Sequence, residues 1–228
     1  MEHLQGWRDA LGPYLAGGGE PILDLGAGTG IWMHAFGEWF TKPVIGIEPS
    51  AGMRRVARLR DAAPRSWIVA GRDDAIPLDQ GTCSAAWLST VVHHLQDLKR
   101  TAAELRRVLI PGAPVLFRNS FPHRHDEIML FRFFEASRRI ADSFPTVETV
   151  TAEFATAGFE MIDLVRVHEP AAPSLEAIRD FATLMRHTDS ALAPLSDEEF
   201  AEGLAQIDAA IHRGEVPRPM GLDLLVLA

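Results

Sequence analysis

Cysteine is almost absent from the 228-residue sequence, in which Cys83 is the only one. A single thiol cannot form an internal disulfide or supply a cysteine-rich metal site. Cys83 stands in an apolar stretch, which predicts a small core residue. No apolar run in the sequence approaches the length of about 18 residues that is needed to span a membrane. Its first residues carry no basic segment and no apolar signal core. These absences predict a cytoplasmic protein with no membrane partner.

Positively charged residues are fewer than negatively charged ones. The sequence has 22 lysines and arginines and 31 aspartates and glutamates, which gives a formal net charge of −9. An acidic surface repels phosphate backbones, so we expect no nucleic acid partner. Four arginines lie close together on a predicted helix: Arg54, Arg55, Arg58 and Arg60. Such a cluster indicates a solvent-exposed helix face. The length suits one α/β domain, as a monomer or a homodimer.

Short apolar segments alternate with helical patterns, which predicts an α/β fold with a mostly parallel sheet and helices on both faces. We expect strands at residues 21–25, 44–47, 67–70, 83–88, 114–118, 160–167 and 222–227. We expect helices at residues 31–40, from the cap at 50 to about 62, at 98–109 and at 151–156.

Further helical segments exceed what such a sheet needs. Residues 126–140 have the pattern of one helix, and residues 174–186 and 196–212 each place apolar residues on one stripe. The last of these opens with Ser196 and Glu199, the pattern of a capping box. We therefore expect one domain over residues 1–228, with cap helices at about 123–145 and 172–214 above the carboxyl edge of the sheet.

A glycine turn follows the first predicted strand, with an acid just before it: Asp24, Gly26, Ala27, Gly28 and Gly30. Glycines let a backbone turn sharply and approach a ligand closely. The spacing G-x-G-x-G differs from the dinucleotide pattern G-x-G-x-x-G. The carboxylate of Asp24 would repel a pyrophosphate, but it suits an ammonium group or hydroxyls.

A second acid, Glu48, ends the second predicted strand. A carboxylate at this position can accept hydrogen bonds from two ribose hydroxyls. This feature alone does not separate an adenosyl ligand from a nicotinamide dinucleotide.

Three segments in this order, residues 24–30, 46–53 and 104–113, resemble the class I S-adenosylmethionine-dependent methyltransferases. The similar subgroup is the small-molecule type with a "methyltransferase 11"-like domain. The resemblance implies a Rossmann-like sheet of seven strands with the last strand antiparallel, and S-adenosyl-L-methionine as the cofactor. It also implies that Asp24 and the glycine turn hold the methionine moiety, Glu48 the ribose, and Pro49 and Met53 the adenine.

The resemblance weakens after the third strand. The family usually has an acid directly after the glycine that ends this strand, but this chain has Arg72 there, followed by Asp73 and Asp74. Either aspartate is a candidate for the adenine amino group. Another departure is Ser84, where the family often has an acid.

The segment after the fourth strand contains Leu88, Ser89, His93 and His94. In similar enzymes this segment passes beneath the sulfonium, so Leu88 and Ser89 are candidate cofactor contacts. A histidine can orient a substrate hydroxyl or take its proton near neutral pH. A structural role, donating to backbone carbonyls, is the alternative for either ring; for the pair we expect a catalytic role.

The loop after the fifth strand carries His123, His125, Asp126 and Glu127. An H-x-H-D cluster can bind metal, but a charged loop at a helix start explains these residues better, and we expect no metal. His123 and His125, with Phe131 from the following helix, are candidates for a substrate pocket.

These observations predict an enzyme that transfers a methyl group from S-adenosylmethionine to a small-molecule nucleophile, which includes natural products. Two alternatives stay open: a nicotinamide-dependent oxidoreductase, and a non-catalytic member of the fold that keeps the cofactor pocket. A protein substrate is a further option. The sequence does not indicate which atom accepts the methyl group.

Overall fold

A seven-stranded sheet in the order β3-β2-β1-β4-β5-β7-β6 organises the computed structural model, which describes residues 4–17, 19–60 and 65–228. The pairs from β3 through β5 are parallel, and β7 is antiparallel to β5. The predicted Rossmann-like α/β fold with an antiparallel last strand is confirmed. The strands are β1 Ile22–Leu25, β2 Val44–Ile47, β3 Trp67–Val69, β4 Ala85–Ser89, β5 Val115–Asn119, β6 Met161–Glu169 and β7 Met220–Leu227.

Helices connect the strands. They are α1 Gln5–Leu15, α2 Ile31–Phe40, α3 Ala51–Leu59, α4 Leu98–Val108, α5 Met129–Phe133, α6 Glu135–Ala141, α7 Val147–Ala155, α8 Leu175–Met185 and α9 Asp197–His212. No helix in the described ranges is long and apolar enough to cross a membrane. Every residue of β1 and β2 is buried, as expected for parallel strands covered on both faces.

One helix was missed and one helix prediction was wrong. The helix α1 was missed, because Gly6, Gly12 and Pro13 lower the helix propensity of that segment. The single helix expected at 126–140 is two helices, α5 and α6, separated at Phe134, whose backbone is non-helical (φ −116°, ψ 81°).

Other helix ends differ by a few residues. The helix expected at 151–156 begins at Val147, because Thr146 caps it by accepting a hydrogen bond from the N–H of Thr149. The end that we expected for α3, at about 62, lies outside the described residues. The predicted cap at Ser50 and the capping box of Ser196 and Glu199 are confirmed.

The chain forms two compact units, one of residues 1–119, 146–165 and 223–228 and the other of residues 120–145 and 166–222. The second unit has its own core between α5, α6, α8 and α9, with Phe134, Leu175, Ala182, Leu192 and Ile207 buried in it. The apolar stripes predicted for α8 and α9 therefore face a core. The interpretation of this unit as a cap on a single domain stays a prediction.

Candidate functional site

The parallel register brings the carboxyl ends of β1 and β2 side by side, because Leu25 pairs with Ile47. The glycine turn begins one residue after Leu25, and Glu48 follows Ile47 directly. Ligands bind at this edge in open α/β sheets. Both acids that the sequence singles out therefore lie at neighbouring positions of the first unit.

Each glycine of the turn has a left-handed backbone, with φ of 79° at Gly26, 55° at Gly28 and 78° at Gly30. A Cβ on Gly26 would lie 2.6 Å from Cγ1 of Val91, and one on Gly30 would lie 3.0 Å from Cβ of Ala57. The nearest atom to a Cβ on Gly28 would be the Gly26 oxygen, 4.0 Å away. Packing within the protein thus requires two of the glycines, and Gly28 borders open space.

The amides of this turn donate within the protein. The N–H groups of Gly26 and Ala27 donate to the Ile47 oxygen, at 2.8 and 3.1 Å. The N–H of Gly28 donates to Oε2 of Glu48 at 3.0 Å, and that of Gly30 to the Ala27 oxygen at 2.9 Å. In a dinucleotide site such amides face the pyrophosphate. Four amides of this turn are therefore already engaged within the protein.

Asp24 is buried in β1, between Gly46 of β2 and Trp87 of β4. Its Oδ2 atom has no hydrogen-bond partner among residues 4–17, 19–60 and 65–228. Burial, and after it the charge of Glu48, raises the pKa of Asp24 to about 8. An unpaired buried carboxyl is costly, so a ligand that offers an ammonium or hydroxyl group would stabilise it.

The carboxylate of Glu48 closes the turn between β2 and α3. Its Oε2 accepts from Gly28, and its Oε1 accepts from the N–H of Ser50 at 2.8 Å. Glu48 is buried, but a carboxylate has about four acceptor positions. The positions that remain can accept two hydroxyl groups.

Pro49 and Met53 stand at the start of α3, where the resemblance places the adenine. Pro49 is exposed, and Met53 has an exposed fraction of 47%. The backbone oxygen of Pro49 accepts from Arg54 Nη1 at 2.8 Å, which fixes the turn. Apolar surface at this turn is thus accessible to a flat ring.

Asp73 and Asp74 both have protein partners. Oδ2 of Asp73 accepts from the hydroxyl of Thr101 at 2.8 Å, on α4. Asp74 pairs with Arg72 at 3.0 Å and lies 3.8 Å from Arg100. The side chain of Arg72 thus pairs with Asp74. Which of the two aspartates contacts an adenine stays a prediction.

The two candidate cofactor contacts at the end of β4 differ in accessibility. Leu88 is fully buried, and its contact with a cofactor stays a prediction. Ser89 is half-buried, and its hydroxyl accepts from Arg118 Nη1 at 3.3 Å. The same guanidinium donates to the Thr90 hydroxyl at 3.0 Å. Thr90 has a left-handed φ of 56°, so Arg118 anchors a strained turn.

His93 and His94 lie on a short 3-10 helix, Val92–His94, with ring centroids 4.1 Å apart. Burial, with a smaller effect of His94, lowers the pKa of His93 to about 4. At neutral pH His93 is therefore an uncharged imidazole, which is suited to hydrogen bonding and is a weak base. The helix directly follows Val91, which packs on the glycine turn at Gly26.

The predicted substrate-pocket residues are only partly brought together in the second unit. The ring of His125 is buried and lies 4.9 Å from that of Phe131, edge to face. Both line one cavity. His123 is exposed instead, with its Nδ1 3.5 Å from Asp142. Within the described residues no group of three or more metal-ligating side chains is found.

Some residues at these places were missed by sequence reasoning. Asp142 contacts both His123 and His125, and Arg118 stacks over Trp7 and Trp32, at 5.3 and 5.5 Å from their ring centroids. No local motif marks either residue, because both act across long stretches of chain. For Arg118, the only signal in the sequence was a charged residue within the apolar pattern of β5.

The segment 104–113, part of the family resemblance, has structural contacts. Glu104 accepts from the N–H of Ile76 at 2.8 Å, and Arg107 donates to the Ile76 and Leu78 oxygens. Arg106 donates to the Gly158 oxygen and stacks on Phe159. This segment therefore holds loops of the first unit in place.

Residues 23–117 match the family model of a methyltransferase domain. A malonyl-[acyl-carrier protein] O-methyltransferase of Serratia marcescens is 36% identical over 99 residues, or 43% of this chain and 38% of that protein. A demethylmenaquinone methyltransferase of Lactiplantibacillus plantarum is 26% identical over 66% of this chain and 75% of its own length. The match to the Serratia protein thus spans well under half of that protein's length.

A solved structure from Anabaena variabilis, described as a methyltransferase from an antibiotic biosynthesis pathway, has a similar fold. Its TM-score is 0.78 over 97% of this chain and 96% of that chain, at 18% identity. At this identity the similarity shows the fold alone.

Proposed function

We propose that this chain is a class I S-adenosylmethionine-dependent methyltransferase and that it transfers a methyl group from S-adenosyl-L-methionine to a small organic nucleophile. The match of residues 23–117 to a methyltransferase domain supports this type of reaction, and the solved structure supports the fold. The cofactor of this chain and the nature of its acceptor are our inference.

The pair of Asp24 and Glu48 carries the proposal. Asp24 offers a buried carboxyl with an unpartnered oxygen, which fits the ammonium group of an amino acid. Glu48 retains acceptor positions that fit a ribose diol. S-adenosylmethionine contains both groups. A nicotinamide dinucleotide lacks the amino-acid ammonium group and would add a pyrophosphate, although four amides of the turn already donate within the protein.

When bound, the cofactor supplies an activated methyl group on a positively charged sulfur. The work of the chain is then to bind, align and shield, and good alignment can contribute about 7–11 kcal/mol. Glu48 would bind the ribose of the ligand, and Asp24 would bind its ammonium group. The uncharged imidazole of His93 can accept a hydrogen bond from an acceptor hydroxyl, which orients the attacking oxygen.

A small acceptor is supported by the charge of the chain, because a net charge of −9 disfavours nucleic acid. The names of the two relatives give malonyl-[acyl-carrier protein] and demethylmenaquinone as their acceptors. Because these acceptors differ, they support the reaction type and leave the acceptor of this chain to experiment.

Calorimetric titration of the purified chain with S-adenosylhomocysteine and, separately, with NAD tests this proposal. We expect S-adenosylhomocysteine to bind and NAD to give no heat of binding. Binding of NAD without binding of S-adenosylhomocysteine would refute the proposal. Binding of S-adenosylhomocysteine without methylation of any member of a broad panel of phenols, amines and acids would favour a non-catalytic role.

A further inference from the structure

A cavity of about 260 Å³ lies within the unit of residues 120–145 and 166–222. Its volume is near the lower limit for small-ligand sites, which span about 300–1,000 Å³. Apolar side chains, Ile128 and Phe131, form part of its wall, and Arg132, Arg138 and Arg218 bring three guanidinium groups to it. The wall therefore combines apolar surface with positive charge.

Two acids also line the cavity, each beside a basic side chain. Asp126 accepts from Arg138 Nη2 at 2.7 Å. Glu127 lies 3.1 Å from Nε2 of His168. Three arginines and two acids thus stand together in the lining.

Arg132 and Arg138 each have a partner, whereas Arg218 does not. Arg132 pairs with Glu215, which also pairs with Arg213 and so divides one negative charge between two cations. Arg218 is exposed, and no hydrogen bond or ion pair joins it to any residue of the described ranges. The guanidinium of Arg218 is therefore the one in this wall that is available to a ligand.

The buried ring of His125 adds polar atoms behind this wall. Its Nδ1 has no hydrogen-bond partner in the described part of the chain, and its Nε2 lies 3.2 Å from Oδ1 of Asp142 without the geometry of a hydrogen bond. A fully buried imidazole with an unsatisfied nitrogen is uncommon in a site that serves packing alone.

We propose that this cavity binds a small organic acid, with its carboxylate on Arg218 and its apolar part against Phe131 and Ile128. A guanidinium in a concave site attracts carboxylates strongly. The one available guanidinium, that of Arg218, suits a monoanion better than a phosphate dianion. The acid is either the methyl acceptor, which rests on the proposed function, or an effector, which does not.

The test compares phenylacetate with phenylacetamide, two probes of similar shape that differ in charge, by calorimetric or NMR titration of the full chain without cofactor. We expect the acid to bind about tenfold more tightly than the amide, as a charged hydrogen bond implies. Arg218→Gln should abolish this preference. Arg8→Gln makes the same change of net charge at an exposed position of α1 and should retain the preference.

Three results would overturn the proposal: equal affinity for acid and amide, a preference that survives Arg218→Gln, or no binding of phenylacetate with a Kd below about 10 mM. Because Arg218 makes no contact that supports the fold, its variant should keep the wild-type unfolding midpoint. Repeating the titration with S-adenosylmethionine present shows whether the acid is a methyl acceptor or an effector. S-adenosylhomocysteine production would identify an acceptor, and acid binding without turnover an effector. Failure of cofactor binding alone would leave the cavity assignment intact.

Discussion

Asp24 is buried beside Glu48, and burial together with the charge of Glu48 raises the pKa of Asp24 to about 8. At neutral pH Asp24 therefore mostly holds a proton. Glu48 accepts two backbone hydrogen bonds. A ligand with an ammonium group would change this balance, because a nearby positive charge favours the ionised form of a carboxyl.

Proton release on cofactor binding is the first prediction. If the ammonium group of S-adenosylhomocysteine meets Asp24, binding should expel part of a proton near pH 7 and tighten between about pH 6.5 and about pH 8. Calorimetry in buffers of different ionisation enthalpy measures the released proton. In Asp24→Asn, which cannot titrate, the release should disappear. Equal proton release in both proteins would contradict the role of Asp24.

The pH dependence of stability gives a second prediction. A carboxyl whose folded pKa is raised holds its proton in the folded state over a window, from about pH 4 to about pH 8, in which the unfolded chain has lost it. The folded state therefore loses stability as pH rises through that window. Denaturant unfolding without cofactor should show wild type losing more stability than Asp24→Asn between about pH 5 and about pH 8. Parallel pH curves for the two proteins would show that Asp24 is not shifted.

Replacing Glu48 by glutamine tests its place at the cofactor. Glutamine has one acceptor oxygen, so it cannot serve Gly28, Ser50 and two hydroxyls together. We expect a loss of about 1.5–3 kcal/mol in the binding of S-adenosylhomocysteine, measured by calorimetry. Glu38→Gln changes net charge equally at an exposed position of α2 and should bind as wild type does. An unchanged affinity in Glu48→Gln would remove this residue from the site.

Two helical glycines should respond oppositely to alanine. A Cβ on Gly203 of α9 would collide with the ring of Phe134, so Gly203→Ala should destabilise the protein by about 1–3 kcal/mol. A Cβ on Gly12 of α1 would meet no atom within 4 Å, so Gly12→Ala should stabilise it by about 0.5–1 kcal/mol. Denaturant unfolding measures both effects. The packing account would be wrong if both variants changed stability in the same direction.

The parallel sheet could be predicted because its strands are continuous apolar runs that turn residues delimit. The separation of α5 from α6 could not, because Phe134 packs against Gly203, far along the chain. No local pattern near Phe134 contains that contact. Likewise, α1 could not be predicted, because Gly6, Gly12 and Pro13 give its segment a low helix propensity. Tertiary packing buries Trp7 and Leu11 of this helix.

The site could be predicted at the level of its two acids, since topology alone brings the ends of β1 and β2 together. The protonation of Asp24 could not, because it depends on burial in the folded protein. Nor could the sequence show that Asp73 is engaged by Thr101. The guanidinium that Arg218 brings to the cavity was also missed, because Arg218 lies in a segment without a motif.

A crystal structure of the chain with S-adenosylhomocysteine is the most direct test of the cofactor assignment. The assignment predicts that both ribose hydroxyls donate to the carboxylate of Glu48 and that the amino group lies at the free oxygen of Asp24. A nucleoside bound elsewhere, or a ribose that makes no contact with Glu48, would contradict it.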